Sequence, residues 1–342
     1  MAHITLKDLA RKLGISASTV SRALHDHPDI SKKTKESVIK AAEEYGYQPN
    51  PIAQSLKKKR SKTIGVIVPE IRHNFFATVI SGIEEVAYDA GYIIMVCQSN
   101  ETLSREVVNA KALAANRVAG LLIAISLETL SYDHLKNVIK QNIPVVQFDR
   151  VVDELDTSKV VIDDFRSAYR AVTHLIDSGY KRIGFLAGRE GIALNRLRFN
   201  GYLQALKNHG LPFYPELHVN IYGCREEDGR IGADIYLAMD NPPDAILAIN
   251  DPVAVGAFTR FREEGIRVPQ DIALAGFSGS PEAALIDPAL TTISQPAIEM
   301  GRTAAALLLK ELENDGKDFT HKTVTLETEL IIRGSSRPED VK

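Results

Sequence analysis

From residue 63 onward, strand-length apolar runs alternate with helix-length amphipathic stretches, and that alternation leaves few folds open. The runs fall at 64–68, 92–97, 120–125, 145–148, 160–162, 182–186, 245–249 and 272–276; helical stretches include 75–90, 165–177, 197–209 and 252–264. Strands joined through helices pair in parallel, and the helices then cover both faces of the sheet. The segments Thr63-Ile64-Gly65-Val66-Ile67 and Lys181-Arg182-Ile183-Gly184-Phe185 open two similar halves. The expected fold class of this region is α/β, with two doubly wound parallel-sheet lobes and a cleft between them.

The first sixty residues read differently. Thr5 can cap a helix, with Asp8 three residues on, and Leu6, Leu9, Ala10 and Leu13 follow at helical spacing. Gly14 stops that helix. Ser16 can cap a second, whose apolar side is Val20, Ala23 and Leu24 and whose other side offers Ala17, Ser18, Ser21 and Arg22. Two helices joined by so short a turn match the helix-turn-helix, which sets its second helix in the major groove; a guanidinium there can grip a guanine edge with two bonds. Two amphipathic helices of an ordinary helical domain would look the same in isolation. Ser31 caps a third helix through Val38, Ala41, Ala42 and Tyr45, ending at Gly46, enough to bury a small core.

Charge is divided along the same line. Residues 1–62 carry 13 Lys and Arg against 6 Asp and Glu; taken from the chain's 41 and 44, that leaves 28 against 38 for the rest. A basic end on a mildly acidic chain points to a polyanion, and the run Lys57-Lys58-Lys59-Arg60 behind the helices is read as phosphate-binding rather than as a solvated linker. Before the run, Asn50 is a good cap and Pro51 suits a first helical position. A helix of about seven residues does not persist alone in water, so residues 50–57 are expected to fold only against DNA.

Thr19-Val20-Ser21-Arg22-Ala23-Leu24 and Tyr45-Gly46-Tyr47-Gln48-Pro49-Asn50 resemble the signature of the LacI/GalR family of bacterial transcription regulators. The resemblance continues in Asn250-Asp251-Pro252-Val253-Ala254-Val255-Gly256-Ala257, Val268-Pro269-Gln270-Asp271-Ile272 and Leu290-Thr291-Thr292-Ile293-Ser294-Gln295-Pro296, which are also similar to periplasmic sugar-binding proteins. It implies a helix-turn-helix head over 1–48, a hinge helix and basic linker over 49–61, and an effector-binding and dimerisation domain over 62–342. The lobes would divide at about 62–162 with 294–324, and 163–293 with 325–336. It places DNA contacts at Thr5, Ser16, Ala17, Ser18, Thr19, Ser21, Arg22, Asn50, Ala53, Leu56 and Lys57, with Leu56 as a wedge in the minor groove.

In doubly wound lobes, ligands bind beyond the carboxyl ends of the strands. Residues past those ends are 72–76, 149–150, 163–164, 189–198, 250–251, 276–278 and 294–295, a mixture of aromatic, amide, carboxylate and guanidinium groups suited to a hydroxyl-rich small molecule. The resemblance carries effector contacts onto Phe75, Asp149, Arg150, Arg198, Asn250 and Gln295; His73, Phe76 and Ser278 join them as residues past the strand ends. Asp164 and Asp251 are equally readable as helix caps, and Phe76 as core. Relatives usually carry an acid where this chain has Ser278, and Asn is more frequent where it has Asp164. That leaves open a modified sugar, a sugar acid held by Arg150 and Arg198, or no ligand.

The sequence offers no phosphate-cradling Gly-Lys motif, dinucleotide fingerprint or zinc-binding His pair, so no enzyme activity, cofactor or metal is expected. Cys97 and Cys224 are read as buried free thiols, and Asp163-Asp164 as strand neighbours facing opposite ways. With no signal-like or membrane-spanning segment, the expected setting is the cytoplasm, at the bacterial nucleoid. A DNA-binding repressor, dimeric on a palindromic operator and answering to a sugar-like effector or a protein partner, is the favoured reading. A solute-binding receptor and an enzyme are the alternatives.

Overall fold

In the first unit, local capping decides where each helix begins. The computed structural model describes residues 4–47, 61–72, 74–189, 191–314 and 319–337, divided between a unit ending at Ser61 and one beginning at Lys62. Helix α1 (Leu6–Leu13) starts in a full capping box: the Asp8 amide donates to Thr5 Oγ1 at 3.3 Å and the Thr5 amide to Asp8 Oδ2 at 3.1 Å. Gly14 closes it at φ +64°, a left-handed turn open to glycine at little cost. Ser16 and Ser31 accept the Thr19 and Thr34 amides and so start α2 (Ala17–Leu24) and α3 (Lys32–Glu44). Leu9, Ala10, Val20, Ala23, Val38 and Ala41 form the buried core of the three helices. The third helix stops at Glu44, with Gly46 in the left-handed turn beyond it.

The second unit holds two six-stranded sheets. Along the chain come β1 (Thr63–Val68), α4 (Asn74–Asp89), β2 (Ile93–Gln98), α5 (Leu103–Ala115), β3 (Gly120–Ile123), α6 (Asp133–Lys140), β4 (Val145–Phe148) and β5 (Ser158–Ile162). The second half adds α7 (Asp164–Asp177), β6 (Ile183–Ala187), α8 (Ala193–Asn208), β7 (His218–Asn220), α9 (Glu226–Leu237), β8 (Ala245–Ala248), α10 (Asp251–Glu263) and β9 (Ala273–Ser278). Then follow β10 (Thr291–Ser294), α11 (Ala297–Glu313), β11 (Thr323–Leu326) and β12 (Glu329–Ile331). One sheet runs β11-β5-β4-β3-β1-β2, the other β12-β10-β9-β8-β6-β7, and every pairing is parallel except β10 with β12. This is the expected pair of doubly wound lobes. Helix α11 returns to the first lobe and packs on α4 so closely that a Cβ on Gly82 would stand 2.2 Å from the Ile298 carbonyl oxygen.

The strands differ from their expected spans by one or two residues: 92–97 is Ile93–Gln98, and 272–276 is Ala273–Ser278. Strands β7 and β10–β12, of three or four residues each, were not expected. They sit at or next to sheet edges and are too short to show a period.

Candidate functional site

Two places bear on function, one in each unit. In the first, Ser18 and Arg22 of α2 are exposed, Ser21 and Thr19 are half-exposed, and Val20 and Ala23 are buried, with Arg22 in the last turn of the helix. The Ser16 hydroxyl lies 2.7 Å from that of Ser18 and 2.8 Å from that of Thr19, and Thr5 stands exposed at the start of α1. Ala17 is a partial exception to the expected groove-facing surface: it is half-buried and packs against the small core. Asn50, Ala53, Leu56 and Lys57, with the whole 50–57 hinge, lie outside the described residues, as does His73.

The second place is a cavity of about 170 Å³ between the lobes, at the carboxyl ends of both sheets. It gathers Phe75, Phe76, Asp149, Arg150, Arg198, Asn250, Ser278 and Gln295, which lie up to 220 positions apart in the sequence. Phe75 meets Phe76 edge to face at 5.1 Å; Phe76 is buried and Phe75 half-buried, so the two aromatics divide between core and wall. Asn250 caps α10 by accepting the Val253 amide at 2.9 Å, and its own amide donates to the Cys224 carbonyl. Asp251 is therefore not a cap. Its buried carboxylate accepts from the Thr292 hydroxyl and the Ser280 amide, each at 2.6 Å, and ties the loop after β9 to β10. Burial raises its carboxyl above the ordinary range.

Two of the cavity arginines, Arg150 and Arg198, are already engaged. Arg150 donates to both oxygens of Glu101 at 2.8 and 2.9 Å. Arg198 donates to Asp164 at 2.7 Å and to the Ile249 carbonyl at 2.6 Å, with its guanidinium 3.6 Å above the Phe277 ring. Asp163, not Asp164, caps α7, by accepting the Arg166 amide. The two acids are thus cap and first helical residue rather than strand neighbours, and the separation of their roles comes from the helix start. Burial pushes the Asp164 carboxyl up to about 6 against the pull of Arg198, and raises Asp149 against the pull of Arg150 and Arg198. A sugar acid clamped by two free arginines does not fit this arrangement, since each guanidinium already faces a carboxylate.

Three residues with positive φ border the same place. Among non-glycine residues, Glu101 (φ +60°), Asp149 (φ +58°) and Ser278 (φ +123°) hold left-handed or neighbouring conformations around the cavity. Strain of this kind persists where the surroundings over-determine it, commonly at ligand sites. Cys224 lines the cavity and is partly rather than fully buried, like Cys97; burial nonetheless pushes its thiol up to about 11. Sequence reasoning missed Glu101, Leu127, Cys224, Glu226, Ser280 and Glu282. None lies in a run of recognisable spacing, and each arrives through a loop or a helix start.

Among the described residues, no group of His, Cys, Asp and Glu could hold a metal ion, and no helix is long and apolar enough to cross a membrane. Residues 5–50 match the bacterial regulatory proteins of the lacI family, and residues 172–336 match the periplasmic binding protein-like domain. The chain is 34% identical over 333 residues to the HTH-type transcriptional repressor CytR of Escherichia coli K12, covering 97% of this chain and 96% of that protein. It resembles the lac repressor dimer bound to operator and the anti-inducer ONPF with a TM-score of 0.83 at 26% identity, over 98% of this chain and 100% of that one. A LacI family transcriptional regulator from Enterococcus faecium, solved with bound ribose, matches with a TM-score of 0.72 at 28% identity, over 81% of this chain and 99% of that one.

Proposed function

Because the chain belongs to the lacI family of bacterial regulatory proteins, we propose that it is a sequence-specific transcriptional repressor, controlled by a small sugar-like molecule in the interlobe cavity. The observation that carries the reading is the exposed face of α2, with Ser18 and Arg22 outward on a helix anchored by Val20 and Ala23. In this role Arg22 reads base edges, aided by Ala17, Ser18 and Ser21. Leu56 wedges the minor groove and the run from Lys57 to Arg60 holds phosphates. Asn50 and Ala53 contribute to the hinge that docks with them.

Two copies would act together on a palindromic operator, inside the cytoplasm. Exposed apolar side chains along the edge strand β2 and its flanking helices support a homodimer: Tyr88, Ile93, Met95 and Val108. Tyr222 and Ile231 lie beside the other lobe's edge strand β7. Two solved relatives are described with bound ribose and with an anti-inducer, which supports a small-molecule ligand here. A ligand that binds one arrangement of the lobes better than another shifts their equilibrium by its differential affinity, and through the hinge changes the hold on DNA. No catalytic role is assigned to any residue.

An electrophoretic shift with random-sequence duplexes tests the DNA-binding half of this reading. Binding that weakens steeply with salt and disappears on removal of residues 1–60 is expected. Absence of any shift at low salt would favour a solute-binding receptor instead.

A further inference from the structure

Three features of the cavity bear on the charge of its ligand. First, the cavity has no excess of positive charge: Asp149, Glu226 and Glu282 line it against Arg72, Arg150 and Arg198, and Glu101 and Asp164 stand behind the last two. Second, Arg150 and Arg198 are spent on Glu101 and Asp164, so an incoming anion would compete with carboxylates already in place. Third, two acceptor atoms among the lining residues are buried without a hydrogen-bond partner: Glu226 Oε2 and Gln295 Oε1. Gln295 is 9% exposed.

Glu226 is the informative one. It opens α9, where an acid ordinarily serves as a helix-end charge. That task is already done by Asp228, which accepts from the Arg225 amide at 2.9 Å and the Gly223 amide at 3.2 Å. The Glu226 oxygen is left as a desolvated acceptor on the cavity wall. A buried acceptor without a donor is unfavourable until a donor arrives, and a charged donor suits a carboxylate best.

We propose that the cavity selects a polyol bearing a basic amine, with the ammonium on Glu226 and a ligand donor on the Gln295 carbonyl oxygen. The proposal rests on reading the cleft as the effector site, and refines it from a sugar-like molecule to an amino-sugar-like cation. The carboxylates already paired with Arg150 and Arg198 disfavour the corresponding sugar acid.

Isothermal titration of the full chain with D-glucosamine, D-glucose and D-glucuronate tests it, since the three differ chiefly in amine, hydroxyl and carboxylate. Glucosamine should bind at least about tenfold more tightly than glucose, the scale of one charge-assisted hydrogen bond, with glucuronate weakest. Glu226→Gln should erase most of the preference for glucosamine. The proposal is overturned if glucose or glucuronate binds as well as glucosamine, if none of the three binds, or if folded Glu226→Gln keeps the full preference. Duplex shifting by the same preparation reports separately on the regulatory reading, which survives any of these failures if the shift is present.

Discussion

Replacing Glu101 should destabilise the second unit through a residue it supports rather than through its own packing. Its carboxylate accepts from Arg150 twice and from the Leu127 amide at 2.8 Å, and the Arg150 side chain is only 9% exposed. Without Glu101, the remaining acid near Arg150 is Asp149, 3.9 Å away, which compensates in part. Breaking a buried pair from one side costs about 3 kcal/mol at the low end of the usual range. Unfolding entropy of about 2.1 cal/mol/K per residue, over a unit spanning 62–342, is about 0.6 kcal/mol per degree, so Glu101→Ala should lower the melting temperature by about 5 °C. A second substitution separates charge from backbone. Because Glu101 sits at φ +60°, Glu101→Gly relieves strain that Ala retains, and should be milder by about 1 kcal/mol, or about 2 °C. Both follow from thermal unfolding by circular dichroism near neutral pH. A loss under about 1 kcal/mol for Glu101→Ala would refute the dependence of Arg150 on Glu101. Equal losses for Ala and Gly would refute the strain.

Ser278→Gly should raise the melting temperature slightly, by relaxing φ +123°, which calorimetry can check; a fall would mean that the Ser278 side chain makes a compensating interaction. Thr5→Ala removes the capping oxygen of α1 and should destabilise the first unit by about 1 kcal/mol in urea unfolding. Arg22→Ala should reduce binding to a specific duplex by about 1–3 kcal/mol while leaving random-duplex binding nearly unchanged, read by fluorescence anisotropy. For pH, the raised carboxyl of Asp164 contributes stability that is present below its unfolded value near 3.8 and is lost as pH rises through about 6. Denaturant unfolding should therefore show wild type gaining more than Asp164→Asn between pH 7 and pH 5. Equal gains would contradict the raised value.

The alternation of apolar runs carried the two-lobe architecture because burial on both faces imposes it on each strand, as in β4, where Val145 to Phe148 are all buried. Caps were legible for the same local reason: Thr5, Ser16 and Ser31 act on amides three residues away. The cavity walls at Phe75, Asp149, Asn250 and Gln295 were reachable because strand ends in a doubly wound fold converge. What stayed hidden depends on conformations that no spacing records. Glu101 meets Arg150 across 49 positions by way of a left-handed turn at Asn100 and Glu101. Asp251 looked like a cap because caps follow strands, yet Asn250 one residue earlier takes that place and turns Asp251 toward Thr292. Glu226 carries no signal beyond being acidic at a helix start, and only the structure shows that Asp228 takes the cap and leaves a Glu226 oxygen without a partner.

In the proposed function, paired copies of α2 read a two-fold symmetric sequence. Repeated selection of duplexes from a random pool by the intact chain, followed by sequencing, is the decisive measurement. A palindrome with half-sites about one helical turn apart, losing its information at one base per half-site with Arg22→Ala, is the predicted result. Selected duplexes with no two-fold symmetry, or a motif unchanged by Arg22→Ala, would contradict it.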